Sequence, residues 1–204
     1  MKIKMLAAGL LLVGVSLAAV NTYYYLEGIL SIQQVKMVEA PSSAKVTEAP
    51  SDKQWPLYEV KPSIGEKLGE LYIPRLEQVF PIYEGTGKEV LRSGVGHYIR
   101  SALPGEKNNT ILSGHRDTVF RGLRHLKEND ELVVTTTEGT FTYKIYRIRI
   151  VKADDHTVMT PKPRATLTVT TCYPFYFLGN APERYIISAK LINKHRVITW
   201  NHPR

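Results

Sequence analysis

The fold is decided by the segment TLTVTTCYPF, which occupies residues 166–175. Threonines alternate there with Leu167 and Val169, and such alternation of polar and apolar side chains is typical of a half-buried β-strand. Pro174 lacks a backbone N–H group and is expected to end the strand. The segment therefore predicts a strand that displays Cys172 at its end, beside a loop, where reacting groups are commonly found.

A second strand is predicted over residues 184–191, with the sequence RYIISAKL. If the two strands pair antiparallel across the intervening loop, the end of the first lies near the start of the second. Cys172 and Arg184 then become neighbours, each on the polar face of its strand. Arg184 could stabilise a thiolate, an oxyanion or a substrate carbonyl, and a surface arginine on a basic protein is an equally good interpretation.

The rest of the folded region also reads as β-structure. Runs rich in β-branched and aromatic residues lie at 68–73, 79–83, 109–113, 131–137 and 140–151. Glu138 and Gly139 predict a hairpin turn, and two short helices are expected near 88–92 and 120–126. Seven or eight short strands without an internal repeat indicate a mainly β domain, either a sandwich or a barrel.

The N-terminal segment, residues 1–27, has a different composition. Residues 5–26 are uncharged and rich in Leu, Ala, Val and Gly, and a helix of that length at ~1.5 Å per residue roughly matches the ~30 Å hydrocarbon core. Lys2 and Lys4 predict a single-pass transmembrane helix with its N-terminus inside the cell. A secretory signal cleaved near Ala18 is the alternative. Either way, the folded domain is expected outside the cell.

Residues 28–64 are predicted to be a flexible linker. The stretch MVEAPSSAKVTEAPSDK at 37–53 is rich in Pro, Ala, Ser and alternating charge and has almost nothing to bury. The folded domain is then expected at 65–204.

The chain carries 27 basic and 19 acidic residues, a net charge of +8, which favours anionic surroundings such as a membrane or an acidic wall polymer. Dispersed basic residues and the lack of a glycine-rich phosphate loop argue against nucleic acid.

Cys172 is the only cysteine, which excludes an intramolecular disulfide and a multi-cysteine zinc site. A cysteine nucleophile needs a base, and six histidines are available. His115 is the first candidate because it follows a strand in ILSGHRD, where Asp117 could hold the ring or cap a turn. His97, in GVGHY, is the second. No residue cluster predicts a metal site, and no cofactor is expected.

Three blocks resemble the signature motifs of sortases, and among them those of class D. They are LSGHRDT at 112–118, TVTTCYPF at 168–175 and GNAPERY at 179–185, and the likeness extends over residues 65–192. Val169 stands where the TLxTC pattern of the family usually has leucine, a change on the apolar face that should leave the thiol undisturbed. The resemblance implies a closed sortase-like β-barrel of about eight strands on the outer face of a Gram-positive cell.

The resemblance also implies a cysteine transpeptidase. Its partners would be secreted proteins with a C-terminal LPxTG-like sorting signal, cleaved after Thr, and an amine of peptidoglycan or of its lipid-linked precursor. Cys172 would be the nucleophile that forms a thioacyl enzyme, and His115 the general acid and base. Arg184 would bind the substrate backbone and the developing oxyanion.

Three further residues are candidates for substrate binding: Thr171, His97 and Asp117. For Thr171, packing on the apolar face is an equally good interpretation. Two other functions fit the sequence: a noncatalytic, membrane-tethered β-domain that binds acidic wall polymer, and a sortase-fold cysteine hydrolase that transfers the acyl group to water. An L,D-transpeptidase is disfavoured because its Ser-x-Gly-Cys-x-Arg block is missing.

Overall fold

A computed structural model of the chain describes residues 2–33, 57–176, 179 and 181–196. Its first element is helix α1, Lys2–Gln33, which continues past the expected start of the linker because residues 28–33 contain no proline to stop it. A search of the described residues finds no helix both long and apolar enough to cross a membrane. The predicted linker from residue 34 to residue 56, and the domain after residue 196, lie outside the described residues.

Eight strands form a closed barrel, which confirms the predicted β-fold. Around the barrel their order is β1-β2-β3-β4-β7-β8-β6-β5. The strands are β1 Lys67–Ile73, β2 Gln78–Glu84, β3 Val95–His97, β4 Asn109–Ser113, β5 Glu131–Thr136, β6 Gly139–Lys152, β7 Thr166–Tyr173 and β8 Glu183–Arg196. A short helix α2, Lys88–Ser93, precedes β3. Single 3₁₀ helices lie at Pro74–Leu76, Arg121–His125 and His156–Met159.

The alternating patterns located seven of these strands, whereas β3 was not predicted. This strand has three residues, too few for an alternation to be visible. The predicted helix at 120–126 is a 3₁₀ helix at Arg121–His125. Strand β8 extends beyond the predicted residue 191, because its last residues pair with the start of β6 from Gly139 onward. The hairpin between β5 and β6 is present, with Thr136 paired to Gly139.

Apolar side chains from the alternating positions fill the barrel. Those that are almost completely buried include Leu71, Ile73, Phe80, Ile82, Leu112, Leu132, Val134, Phe141, Leu167, Val169 and Ile187. Removing each such side chain from water stabilises the fold by roughly 1.5–3 kcal/mol. Val169, at the position where the sortase pattern usually has leucine, is fully buried. The substitution therefore lies inside the barrel and not at the surface that carries Cys172.

Candidate active site

Strands β7 and β8 pair antiparallel, with Cys172 directly opposite Arg184. This register confirms the adjacency predicted from the alternation of the two strands. Residues directly opposite each other in such a pair have Cβ atoms about 4.5–5.5 Å apart. Both side chains are half-buried at the end of the barrel where β7 leads into the next loop. A thiol and a guanidinium therefore lie side by side at a strand end that solvent reaches.

Strand β4 brings His115 to the same end of the barrel. It pairs in parallel with β7, with Ser113 opposite Thr170, so both strands finish at one edge. The hydrogen bonding between the two segments continues past the end of β4, because the Gly114 N–H donates to the Thr170 carbonyl at 3.3 Å. The Thr171 hydroxyl in turn donates to the Gly114 carbonyl at 2.7 Å. His115 follows at once, in the loop after β4.

A tight turn after β4 fixes the backbone of His115. The Phe120 N–H donates to the His115 carbonyl at 2.9 Å, and the Phe120 ring is fully buried, packing edge-on against Phe80 at 6.1 Å between centroids. A Cβ atom on Gly114 would lie 2.6 Å from the Phe120 ring. Only glycine allows this approach, so the turn ties the histidine backbone to the core while its side chain stays exposed.

The predicted catalytic residues share one cavity of about 320 Å³. It is lined by His115, Arg116, Asp117, Cys172, Gly179, Ala181 and Arg184. Its size falls within the range of about 300–1,000 Å³ that is usual for ligand sites. The cavity thus combines a thiol, an imidazole, a carboxylate and two guanidinium groups, a set suited to nucleophilic attack and proton transfer at a carbonyl.

Backbone carbonyl groups orient the two arginines of the cavity. Arg184 Nη1 donates to the carbonyls of Ala181 at 3.1 Å and Glu183 at 2.9 Å. Arg116 Nη2 donates to the Gly179 carbonyl at 2.9 Å. The Arg184 bonds hold its planar group in place before any substrate arrives, which lowers the entropy cost of aligning its remaining donors.

Three aromatic rings pack together where β7 ends. Tyr173 stacks on Tyr185 with 6.2 Å between centroids, and Phe175 meets both rings edge-on at 5.8 and 5.1 Å. Burial, followed by the neighbouring Tyr173, raises the pKa of Tyr185. As predicted, the strand ends at the residue before Pro174. The rings provide a firm apolar support for the start of the loop that follows Cys172.

Two of the residues predicted to bind substrate have side chains that do not line this cavity. Thr171 is buried, and its hydroxyl bond to Gly114 ties β7 to the loop that carries His115. His97 is buried in β3, with Nδ1 2.7 Å from a Glu84 carboxylate oxygen and Nε2 2.9 Å from the Ala102 carbonyl oxygen. Neither side chain is among those that line the cavity, so a substrate contact by either residue stays a prediction. Asp117 does line it.

Sequence reasoning did not identify Gly179 and Ala181 as cavity residues. Both lie in the block GNAPERY, so the resemblance pointed to the segment without giving its individual contacts. Within the described part of the chain, no group of three His, Cys, Asp or Glu side chains is placed to hold a metal ion. Asp155, which lies between Asp154 and His156 in the sequence, caps the 3₁₀ helix His156–Met159. Hydrogen bonds from Thr157 lower the pKa of that carboxyl group.

Comparison with known proteins shows the family of the chain. Residues 71–192 match the family model of the sortase domain. The chain is 40% identical over 164 residues to sortase D of Bacillus subtilis (strain 168), covering 79% of this chain and 83% of that protein. Its fold resembles the catalytic domain of B. anthracis SrtD, with a TM-score of 0.59 and 45% identity over 68% of this chain and 95% of the other.

A sortase D5 transpeptidase from Clostridium perfringens is also similar, with a TM-score of 0.59 and 30% identity over 65% of this chain and 83% of the other. The chain thus combines a closed eight-stranded barrel with a cavity lined by a cysteine, a histidine and two arginines. The chain belongs to the sortase family. Within that family it is similar to members of class D.

Proposed function

We propose that the protein is a cell-surface cysteine transpeptidase. It cleaves an LPxTG-like sorting signal after Thr, holds the secreted protein as a thioacyl enzyme on Cys172, and transfers it to an amine of peptidoglycan or its precursor. The observation that supports this most directly is the shared cavity of His115, Cys172 and Arg184, built from the ends of three strands.

In the first half-reaction, the Cys172 thiolate attacks the Thr carbonyl carbon and a new S–C bond forms. Negative charge moves to the carbonyl oxygen, where the guanidinium of Arg184, paired across from the cysteine, can donate hydrogen bonds. The C–N bond then breaks as protonated His115 gives its proton to the leaving amine. The products are a thioester on Cys172 and the released C-terminal fragment.

In the second half-reaction, an incoming amine attacks the thioester carbon. His115, now neutral, accepts the proton from that amine, and the C–S bond breaks to restore the thiolate. Thiol and imidazole therefore act as one coupled pair, whose protonation in each step depends on the other group. The exposed position of His115 suits this role, because both leaving and entering amines must reach it from solvent.

The same proposal places the catalytic domain outside the cell, with α1 as a membrane anchor whose N-terminus is inside. The support is the uncharged stretch at 5–26 and the exposed apolar side chains of α1, which include Leu10, Leu11, Leu12 and Leu17. An anchored protein should fractionate with membranes at full mass, and protease should release its domain by cutting between residues 41 and 50. A soluble secreted form that begins near Ala19 would favour a cleaved signal instead.

The deciding experiment incubates the domain with a library of sorting-signal peptides and candidate amines, and follows the products by mass. The expected products are the cleaved peptide, the thioacyl enzyme and the amine adduct, none of them formed by Cys172→Ala. Cleavage without any adduct would identify the hydrolase. Slow thiol labelling and no cleavage would instead favour the noncatalytic wall-binding domain, because an inert buried cysteine reacts slowly.

A further inference from the structure

A second cavity, of about 750 Å³, lies between the connection from β1 to β2 and the connection from β4 to β5. We call it the basic cleft. It is lined by Arg75, Leu76, Arg124, His125, Leu126 and Lys127. No carboxylate is among these lining residues. Three permanent cations and one imidazole thus face the same solvent-filled space, which favours a negatively charged ligand.

The positive charge of the basic cleft is only partly compensated. Arg75 Nε lies 3.3 Å from a carboxylate oxygen of Asp130 and donates to the His125 carbonyl at 3.0 Å. Arg124 donates instead to the His125 ring nitrogen at 3.0 Å and to the Tyr176 hydroxyl. Over the described residues, neither Arg124 nor Lys127 has a carboxylate within salt-bridge distance. Two cations are therefore left for a ligand.

The basic cleft is linked to the catalytic cavity through the loop after β7. The Arg124 guanidinium lies 5.0 Å from the centre of the Tyr176 ring, and Tyr176 follows Cys172 by four residues. Even a fully extended chain would put at most about 14 Å between the Cα atoms of Cys172 and Tyr176. Four extended residues of a bound peptide cover that distance, so one ligand can reach both cavities.

The cleft is built partly from the same connection, between β4 and β5, that carries His115. His115 and the cleft residues Arg124 to Lys127 belong to one segment, which runs from the end of β4 through the turn at Phe120. The amine that attacks the thioester must approach over His115, because that residue takes its proton. An acceptor whose amine approaches over His115 can therefore extend along this segment toward the cleft.

We propose that the basic cleft binds a carboxylate of the amine-bearing acceptor peptide, and so selects acceptors by their charge. The inference rests on the proposed transpeptidase function. An acceptor peptide with a free carboxylate near its amine has the charge that the lining of the cleft complements. Solvent-exposed ion pairs contribute modestly, so each cation is expected to change acceptor affinity about two- to fivefold, and less at high salt.

The test uses two acceptors, one diamino peptide with a free C-terminal carboxylate and the same peptide as its amide. Wild-type enzyme should show a lower KM for the carboxylate acceptor, by about two- to tenfold. Lys127→Gln should reduce that preference and Lys127→Glu should abolish or invert it. Lys190→Glu is the matched control, since Lys190 is exposed on β8 six residues beyond Arg184 and makes the same charge change far from the cleft.

Binding of the two acceptors to the Cys172→Ala protein, titrated at low and high salt, gives a readout that needs no turnover. The inference would be overturned if the ratio of the KM values for the two acceptors were the same in wild type and in Lys127→Glu, and if both acceptors bound equally well. If the enzyme discriminates only between sorting peptides that differ in charge after the Thr, and not between the two acceptors, the cleft binds the sorting peptide instead of the acceptor. Failure of every peptide to acylate Cys172 would refute the transpeptidase, while the binding arm would still decide what the cleft holds.

Discussion

The molecule contains two Gly–His pairs in similar sequence settings, and it uses them in opposite ways. Gly96-His97 lies in β3, and Gly114-His115 directly follows β4. In both pairs glycine is required for close packing, since a Cβ atom would lie 2.4 Å from the nearest atom at Gly96 and 2.6 Å at Gly114. The glycine before each histidine is therefore explained by tight backbone packing, and it gives no information on whether the histidine ring is catalytic.

The surroundings of the two rings differ completely. His97 is 1% exposed, and both of its ring nitrogens have protein partners: Glu84 on one side, and the Ala102 carbonyl and Ser101 hydroxyl on the other. His115 is exposed and opens onto the cavity of Cys172. A ring whose nitrogens are already bonded within the core is not accessible to exchange protons with a substrate, whereas the ring at the cavity is.

His97 belongs to a set of buried polar groups that hold one loop, residues 101–105, against the barrel. Four side chains bond to consecutive residues of this loop. The bonds join His97 to Ala102, Thr110 to the Leu103 carbonyl at 3.1 Å, Tyr58 to the Pro104 carbonyl at 2.8 Å and Tyr143 to the Gly105 N–H at 2.7 Å. We call residues 101–105, together with the four side chains that bond to them, the anchored loop. This region has a structural role, in contrast to the reactive cavity.

The largest expected effect is on activity at the cavity. Cys172→Ala and His115→Ala should each abolish peptide cleavage while the melting curve stays near that of wild type, because these side chains serve the reaction and not the core. His97→Ala is the comparison, and it should keep its activity below its own melting temperature. Cleavage rates for the three variants, measured with thermal unfolding, test the contrast. Full activity in Cys172→Ala would refute the enzyme assignment.

The second effect separates the two arginines of the cavity. Arg184→Lys keeps the charge but loses the planar group that can donate two parallel bonds, and removal of one oxyanion donor commonly costs ~10²–10³ in rate. Arg116→Lys should lower the rate less, since Arg116 supports the loop through the Gly179 carbonyl. Values of kcat/KM for both variants give the comparison. A severe loss in Arg116→Lys with little change in Arg184→Lys would reverse the two roles.

The third effect is on stability, at the anchored loop. Removing one partner of a buried, hydrogen-bonded acid–base pair commonly costs about 3–5 kcal/mol. Glu84→Ala and His97→Ala should therefore lower the free energy of unfolding by amounts in that range, as measured by urea unfolding. Turnover per folded molecule should stay near wild type. If His97→Ala loses turnover without losing stability, His97 has a role in substrate binding and not only in the fold.

The sequence predicted the register of Cys172 against Arg184 because two alternating strands joined by one loop leave little freedom in how they pair. It also located His115, since that residue follows directly after a predicted strand, behind a glycine. It ranked His115 above His97 but did not show that His97 is buried, because that burial depends on Glu84, which lies thirteen residues away on another strand. Strand β3 was missed because its three residues are too few to show an alternation. The basic cleft was missed because it exists only after two distant connections come together.

The smallest effect concerns the two tyrosines of the anchored loop. Burial raises the pKa of Tyr58 and of Tyr143 well above the ordinary value of about 10. A raised folded-state pKa gives a stability contribution that is complete below pH 10 and is lost as pH rises above it. The free energy of unfolding should therefore decrease above pH 10, by up to about 1.4 kcal/mol per pH unit for each tyrosine.

Phenylalanine variants test whether these tyrosines cause the alkaline loss. Tyr143→Phe leaves the Gly105 N–H without its acceptor and should cost about 1–3 kcal/mol at pH 8, while Tyr58→Phe should cost about 1 kcal/mol. Each change should also make the decline above pH 10 less steep, because one buried phenol no longer has to ionise on unfolding. Tyr72→Phe, at an exposed side chain on β1, is the control for loss of a phenol as such. Urea unfolding from pH 8 to pH 11.5 measures both quantities, and an unchanged slope in both Tyr58→Phe and Tyr143→Phe would mean that other groups cause the alkaline loss.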